Sequence, residues 1–277
     1  MDNELIYTSV IYVFVFIFGV CIGSFLNVCI YRLPLGESLI KSNSHCMTCG
    51  TPIRKRDLIP VISWCMLRGK CHACGAKISP RYTVVELLNG ICYLLIFLHF
   101  DVVISPLYAS LVSLMTSALI VIFFMDWDTQ LINTWVVVFI GVLAIPKFLF
   151  CQKDCPLSLS AMILGAFVVS VPLLIIALVS HEKAMGMGDV YLMIAGGLFL
   201  GAPNILVAMA VALIAGSICG LILKHANGNS VFAFGPYLSL GIAAAALYGD
   251  TITKWYMDFT GLNETLNDTA ALISAIF

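Results

Sequence analysis

The chain has 277 residues, 61% hydrophobic and 10% charged, with 14 Lys plus Arg against 15 Asp plus Glu and a formal net charge of −1; its mean hydropathy is +1.04. A soluble domain carries roughly 25% charged residues, so this chain has too little polar surface for a compact particle in water and belongs in a bilayer. Nucleic-acid binding gets no support from the charge, and because apolar runs recur to the end of the chain, neither a cleaved signal peptide nor a single anchor explains the composition.

Apolar stretches at residues 7–30, 84–100, 106–125, 134–150, 159–180, 188–201, 203–224 and 233–249 predict an all-α polytopic membrane protein of about eight transmembrane helices. The sixth is short, and either fuses with the seventh or breaks from it at Gly201-Ala202-Pro203-Asn204. The chain divides into a first transmembrane helix (1–31), a cytoplasmic loop domain (32–82), a transmembrane core (83–249) and a C-terminal tail (250–277). The polar stretch Asn263 to Asp268 in the tail carries no functional signal.

The segment 32–82 holds nine of the fourteen basic residues, from Arg32 to Arg81. Positive charge beside membrane spans stays in the cytoplasm, so this loop is expected inside, together with the turns at 126–133, 181–187 and 225–232. Lys147, Lys153 and Lys254 fall on the other side and oppose the rule.

Within that loop stand Cys46-Met47-Thr48-Cys49 and Cys71-His72-Ala73-Cys74, each followed by a glycine, Gly50 and Gly75. Two Cys-x-x-Cys knuckles offer four thiolates at tetrahedral spacing, which predicts a small zinc-ribbon-like domain. With four protein ligands no position remains for water, so the zinc would be structural, stiffening a loop too small and polar for its own core. Cys21, Cys29, Cys92 and Cys219 lie in apolar runs as packing residues. Cys151 and Cys155 flank an outward turn where a disulfide is conceivable.

Ionisable residues in apolar spans are functional suspects. Asp126 ends the third helix and Asp189, in Gly186-Met187-Gly188-Asp189, opens the sixth; both fall at the cytoplasmic boundary of a topology built without them. Two acids meeting there can share one proton, one polarising a water while the other donates to a scissile carbonyl, which is aspartic protease chemistry. Gly186 and Gly188 would admit backbone and substrate close to Asp189 and let the turn take unusual dihedrals. Asp128 competes with Asp126 for the first role. Asn27 reads equally as a substrate contact or as a hydrogen bond to a neighbouring helix, and Glu86 as a substrate contact or a helix-end charge.

The run Gly23-Ser24-Phe25-Leu26-Asn27-Val28-Cys29-Ile30-Tyr31-Arg32-Leu33-Pro34, the two knuckles, Ser79-Pro80-Arg81-Tyr82 leading to Glu86, the Asp126 segment, Gly186 to Asp189, and Phe234-Gly235-Pro236-Tyr237 together resemble the bacterial type IV prepilin peptidases. The resemblance implies a multi-pass inner-membrane enzyme that removes the leader of type IV prepilins or pseudopilins on the cytoplasmic face. It also implies methylation of the new amino terminus with S-adenosylmethionine. It puts Asp126 and Asp189 in the catalytic pair, Asp126 because it leads the Asp-x-Asp segment. The chain departs from the family at Asn133-Thr134, where Pro-Asp is usual, at Tyr191, where Lys is usual, and at Cys29, where Val is usual. The expected partners are the prepilin precursor and membrane lipids, the latter meeting Arg54-Lys55-Arg56. No Gly-x-Gly-x-x-Gly follows a strand, so the methyl-donor site has no signature. Two rival readings are a proton-coupled transporter, against which stand the missing repeat and the boundary position of the acids, and a zinc-ribbon component of a secretion machine without chemistry of its own.

Overall fold

The computed structural model describes residues 2–40, 44–153, 156–183, 185–227 and 233–261; Cys155 and the stretch 263–268 lie outside them. The described residues form ten α-helices and no strand: α1 (Asp2–Arg32), α2 (Ile62–Met66), α3 (Arg81–Phe100), α4 (Pro106–Thr129), α5 (Thr134–Phe150), α6 (Leu159–Val168), α7 (Ser170–Val179), α8 (Met187–Leu200), α9 (Ala202–Asn227) and α10 (Gly235–Phe259). Five spans are long and apolar enough to cross a bilayer: α1, α3, α4, α6 with α7, and α9. The apolar α5 and α8 are shorter, and α10 runs to Phe259, beyond the expected end of the core at 249, carrying Asp250, Lys254 and Asp258 in its last turns.

The helix ends follow their local chemistry. Pro106 opens α4, where its missing N–H costs no bond. Asn133 caps α5 by accepting from the Trp135 N–H at 2.9 Å, so the departure from Pro-Asp leaves that helix start satisfied. The span expected as one helix over 159–180 breaks at Val169 because Pro172 has no N–H for the Val168 carbonyl, while the Ser170 hydroxyl bonds back to Ala166 O. Between α8 and α9 the chain breaks at Gly201 alone, whose φ of 83° suits a residue without a Cβ.

α4 is the most buried span, with 72% of its apolar window buried; α1, α3, α5 and α10 pack against it, while α6, α7 and α9 pack on α8 and α10. Small residues allow the closest approaches, as expected where lipid removes the hydrophobic drive between helices. A Cβ on Gly23 would stand 2.7 Å from Glu86 Cα, so α1 and α3 touch backbone to backbone. Asn89 on α3, fully buried, donates to Gly19 O at 2.7 Å and accepts from Ser117 Oγ at 2.8 Å, and Ser117 pairs with Tyr93 Oη at 3.0 Å. This network ties α1, α3 and α4 inside the bilayer.

Lys147, which opposed the charge rule, is not a loop charge. It is 1% exposed, donates to Phe199 O at 2.6 Å, and its Nζ lies over the rings of Phe199 and Tyr108. A cation thus serves the C-terminal end of α8, where the helix dipole favours it.

Candidate active site

Three helix ends meet at one end of the bundle. Asp126 lies in the last turn of α4 and Asp189 in the first turn of α8; they are 5% and 8% exposed. The Gly235 N–H at the start of α10 lies beside the Asp126 carboxylate, the Gly186 N–H lies beside that of Asp189, and the two acids lie within electrostatic reach of each other. Ile132, in the turn after α4, packs against the two glycines beside them: a Cβ on Gly188 would stand 2.8 Å from Ile132 Cβ, and one on Gly235 would stand 3.1 Å from Ile132 Cδ1. Asp189 Oδ1 is buried with no hydrogen-bond partner among the described residues. An enclosed acceptor left unpaired is expensive, and a shared proton, a water or a substrate amide would satisfy it.

Asp128 has a different environment. Its Oδ2 lies 2.6 Å from Arg81 Nη2, and the guanidinium also stacks 4.9 Å over the Phe124 ring. The ion pair turns Asp128 toward α3 and leaves Asp126 to face α8 and α10.

Only part of the expected role of the glycines appears. Gly186 has an ordinary extended φ of −78°, and a Cβ there would find nothing nearer than 4.0 Å. Gly188 is the tight position, because Ile132 occupies the side-chain space. Gly235 was quoted in a motif but given no role; a Cβ there would stand 2.6 Å from Asp126 Oδ2. The available signal was a Gly-Pro pair opening an apolar helix.

Glu86 and Asn27 sit where α1, α3 and the cysteine loop join. Glu86 is 8% exposed, its Oε2 accepts the Val61 N–H at 2.8 Å, and Ser24 bonds to it as well. Glu86 thereby ties the cysteine loop to the first turns of α3, a role the sequence did not assign it. Asn27 donates to Tyr82 O at 2.9 Å, the neighbouring-helix bond that was one of its two expected roles.

The knuckles are built alike. Gly50 N bonds to Cys46 O at 2.8 Å and Gly75 N to Cys71 O at 2.9 Å, with both glycines left-handed. Isolated bridges, His45 to Pro52 and Lys70 to Lys77, close the two turns. Among the described residues the sulfurs of Cys46, Cys49, Cys71 and Cys74 form a group within 4.8 Å of one another that can hold a metal ion. Backbone hydrogen bonds from Cys49 and Thr48 pull the Cys46 thiol down to about 6, toward the thiolate a metal requires. Between this loop and the ends of α1 and α3 lies a cavity of about 460 Å³, lined by Asn27, Tyr31, Glu37, Asp57, Trp64 and Tyr82 among others.

A polytopic helical membrane protein that gathers two buried acids at one end, beside a four-cysteine loop, has the layout of a membrane-boundary aspartic peptidase. Residues 17–100 match the Bacterial Peptidase A24 N-terminal domain, and residues 113–221 match the Type IV leader peptidase family. The chain is 37% identical over 250 residues to the type 4 prepilin-like proteins leader peptide-processing enzyme of Escherichia coli, covering 80% of this chain and 88% of that protein. It is 31% identical over 291 residues to the prepilin leader peptidase/N-methyltransferase of Legionella pneumophila, covering 94% and 99%. Against the enzyme of that name from Pseudomonas aeruginosa it is 30% identical over 272 residues, covering 88% and 92%. No solved structure matches the chain. The chain belongs to the type IV leader peptidase family.

Proposed function

We propose that this protein removes the leader peptide of a type IV prepilin or pseudopilin at the cytoplasmic face of the inner membrane and methylates the amino terminus so exposed. Asp126 and Asp189 are the catalytic pair. The ionised carboxyl takes a proton from a water as that water attacks the scissile carbonyl, and the protonated partner donates to the carbonyl oxygen. Collapse of the tetrahedral species passes a proton to the leaving amine and restores the pair to one shared proton. The apolar helix of the substrate stays in the bilayer and holds its peptide bond at the depth of the acids, so positioning removes much of the entropic barrier.

The observation that carries this reading is the joint burial of Asp126 and Asp189 within electrostatic reach of each other, with Asp189 Oδ1 left without a partner among the described residues. Asp126→Asn and Asp189→Asn should each lower leader removal by at least about 10²–10⁴-fold, the range supplied by a positioned acid or base, while insertion and metal content are kept. Wild-type cleavage by either variant sinks the assignment.

Cys46, Cys49, Cys71 and Cys74 fit zinc as a structural ion, since an all-thiolate set in two knuckles is its usual environment. The cavity beside them fits the methyl donor: Glu37 and Asp57 supply acidic groups complementary to its positive charge, and Tyr31, Trp64 and Tyr82 add aromatic rings to the lining. When bound, that donor supplies the methyl group as an electrophile. The chain's own contribution is to hold it beside the amino terminus to be methylated.

A further inference from the structure

The cysteine loop carries an apolar edge that its own packing leaves uncovered. Ile59, Ile62 and Met66 are 47%, 56% and 78% exposed. Ile62 and Met66 stand one turn apart on α2, so they share a face. The other face of α2, with Ser63, Trp64 and Leu67, lines the cavity. Just upstream, Arg54, Lys55 and Arg56 are all exposed.

The depth of this edge is set by one hydrogen bond. Val61 adopts a γ-turn with φ 62° and ψ −54°, closed by Ile62 N–H to Pro60 O, and this is a strained geometry for a β-branched residue. The Val61 N–H is held by Glu86 Oε2 at 2.8 Å. α3 has 20 residues, about 30 Å at 1.5 Å per residue, which matches the hydrocarbon thickness and puts Arg81 near the boundary. Glu86 lies five residues further in, about 7–8 Å deeper. The γ-turn therefore reaches the headgroup and acyl boundary, the depth at which interfacial helices rest.

We propose that Ile59, Ile62 and Met66 insert into the leaflet above α3 while Arg54, Lys55 and Arg56 bind anionic phospholipid headgroups, so that the cysteine loop is a membrane-seated layer. Three basic residues beside an anionic surface are attracted to it, and the apolar edge supplies the buried area. The bilayer then fixes one wall of the cavity through α2. The occupant is lipid because the edge lies at bilayer depth with positive charge beside it. A polypeptide partner from the cytoplasm would have to displace the leaflet to reach it.

The test uses the full chain in nanodiscs of phosphatidylcholine, with or without phosphatidylglycerol, doped with a lipid bearing a photoactivatable group near the top of its acyl chain. Adduct positions are mapped by mass spectrometry. Labelling is expected at Ile59, Ile62 and Met66, rising several-fold with phosphatidylglycerol. Arg54→Gln, Lys55→Gln and Arg56→Gln together should remove that rise, and Ile62→Glu with Met66→Glu should remove the labelling and open Arg54 to Arg56 to trypsin. Unchanged labelling of Phe14 and Phe18 on α1 and unchanged metal content show that a variant is folded. Absence of adducts at the three positions while Phe14 and Phe18 label, or labelling indifferent to phosphatidylglycerol, overturns the proposal. The readout is independent of peptidase activity, so its failure leaves the functional reading standing.

Discussion

Gly235→Ala tests the site more sharply than removing an acid, because it leaves both carboxyls in place and shifts one. The added methyl would stand 2.6 Å from Asp126 Oδ2 and 3.0 Å from its Cγ, whereas ordinary contact begins at 3.4 Å, so the carboxylate must retreat by about 0.8 Å. A displacement of that size at a reacting group is worth about 10²-fold in rate, or about 2.7 kcal/mol of barrier. Gly186→Ala is the internal control, since its methyl would meet nothing within 4.0 Å and its φ is ordinary; the rate should stay within about twofold. Gly188→Ala should fall between, because Ile132 in the turn can yield part of the overlap. The assay is cleavage of a prepilin substrate by purified protein in detergent, with thermal unfolding and metal content measured alongside, since overpacking alone can cost about 1–3 kcal/mol. If folded Gly235→Ala cleaves within about twofold of wild type, or Gly186→Ala is as damaged, the placement of Asp126 against α10 is wrong.

Two further outcomes follow from the same contacts. Asn89→Leu removes the bonds to Gly19 O and Ser117 Oγ and should lower the unfolding free energy by about 1–2 kcal/mol, the upper range for hydrogen bonds between membrane helices, as read by denaturation in mixed micelles. Chelation, or Cys46→Ser with Cys71→Ser, should release the loop and expose residues 54–68 to trypsin, with helix content unchanged, because the membrane helices do not depend on the metal. A loop equally protected without metal would refute the structural role of the four thiols.

What the residue pattern disclosed tracks the range over which its physics acts. The membrane spans and the knuckles are set by local composition and spacing, and the apolar runs and the four cysteines predicted where they lie, although α1 and α10 extend beyond their expected ends. The split at Val169 was also local, since Pro172 was visible, but the expected span overlooked it. Lys147 misled because charge counting treats every lysine as solvated; only packing reveals that this one serves the carbonyl of Phe199, 52 positions away. Glu86 had no sequence signal for its role, because its partner is a backbone N–H on a strained turn 25 residues upstream.

The choice between Asp126 and Asp128 separates what pattern can decide from what contact decides. Both acids sit at the end of one helix, two positions apart, and therefore on opposite sides of it. Periodicity alone says that one faces the bundle and the other does not, without saying which. The resemblance selected Asp126 by its place in a motif. The structure supplies a physical reason of its own: Arg81, fixed by the start of α3, stacks on Phe124 and takes up Asp128 at 2.6 Å, so Asp128 is drawn toward α3 and away from α8. Asp126, on the far side, faces the start of α10 at Gly235 and the second acid, Asp189. The acid on the α8 side is the one placed to meet Asp189, which is the juxtaposition the proposed proton sharing requires.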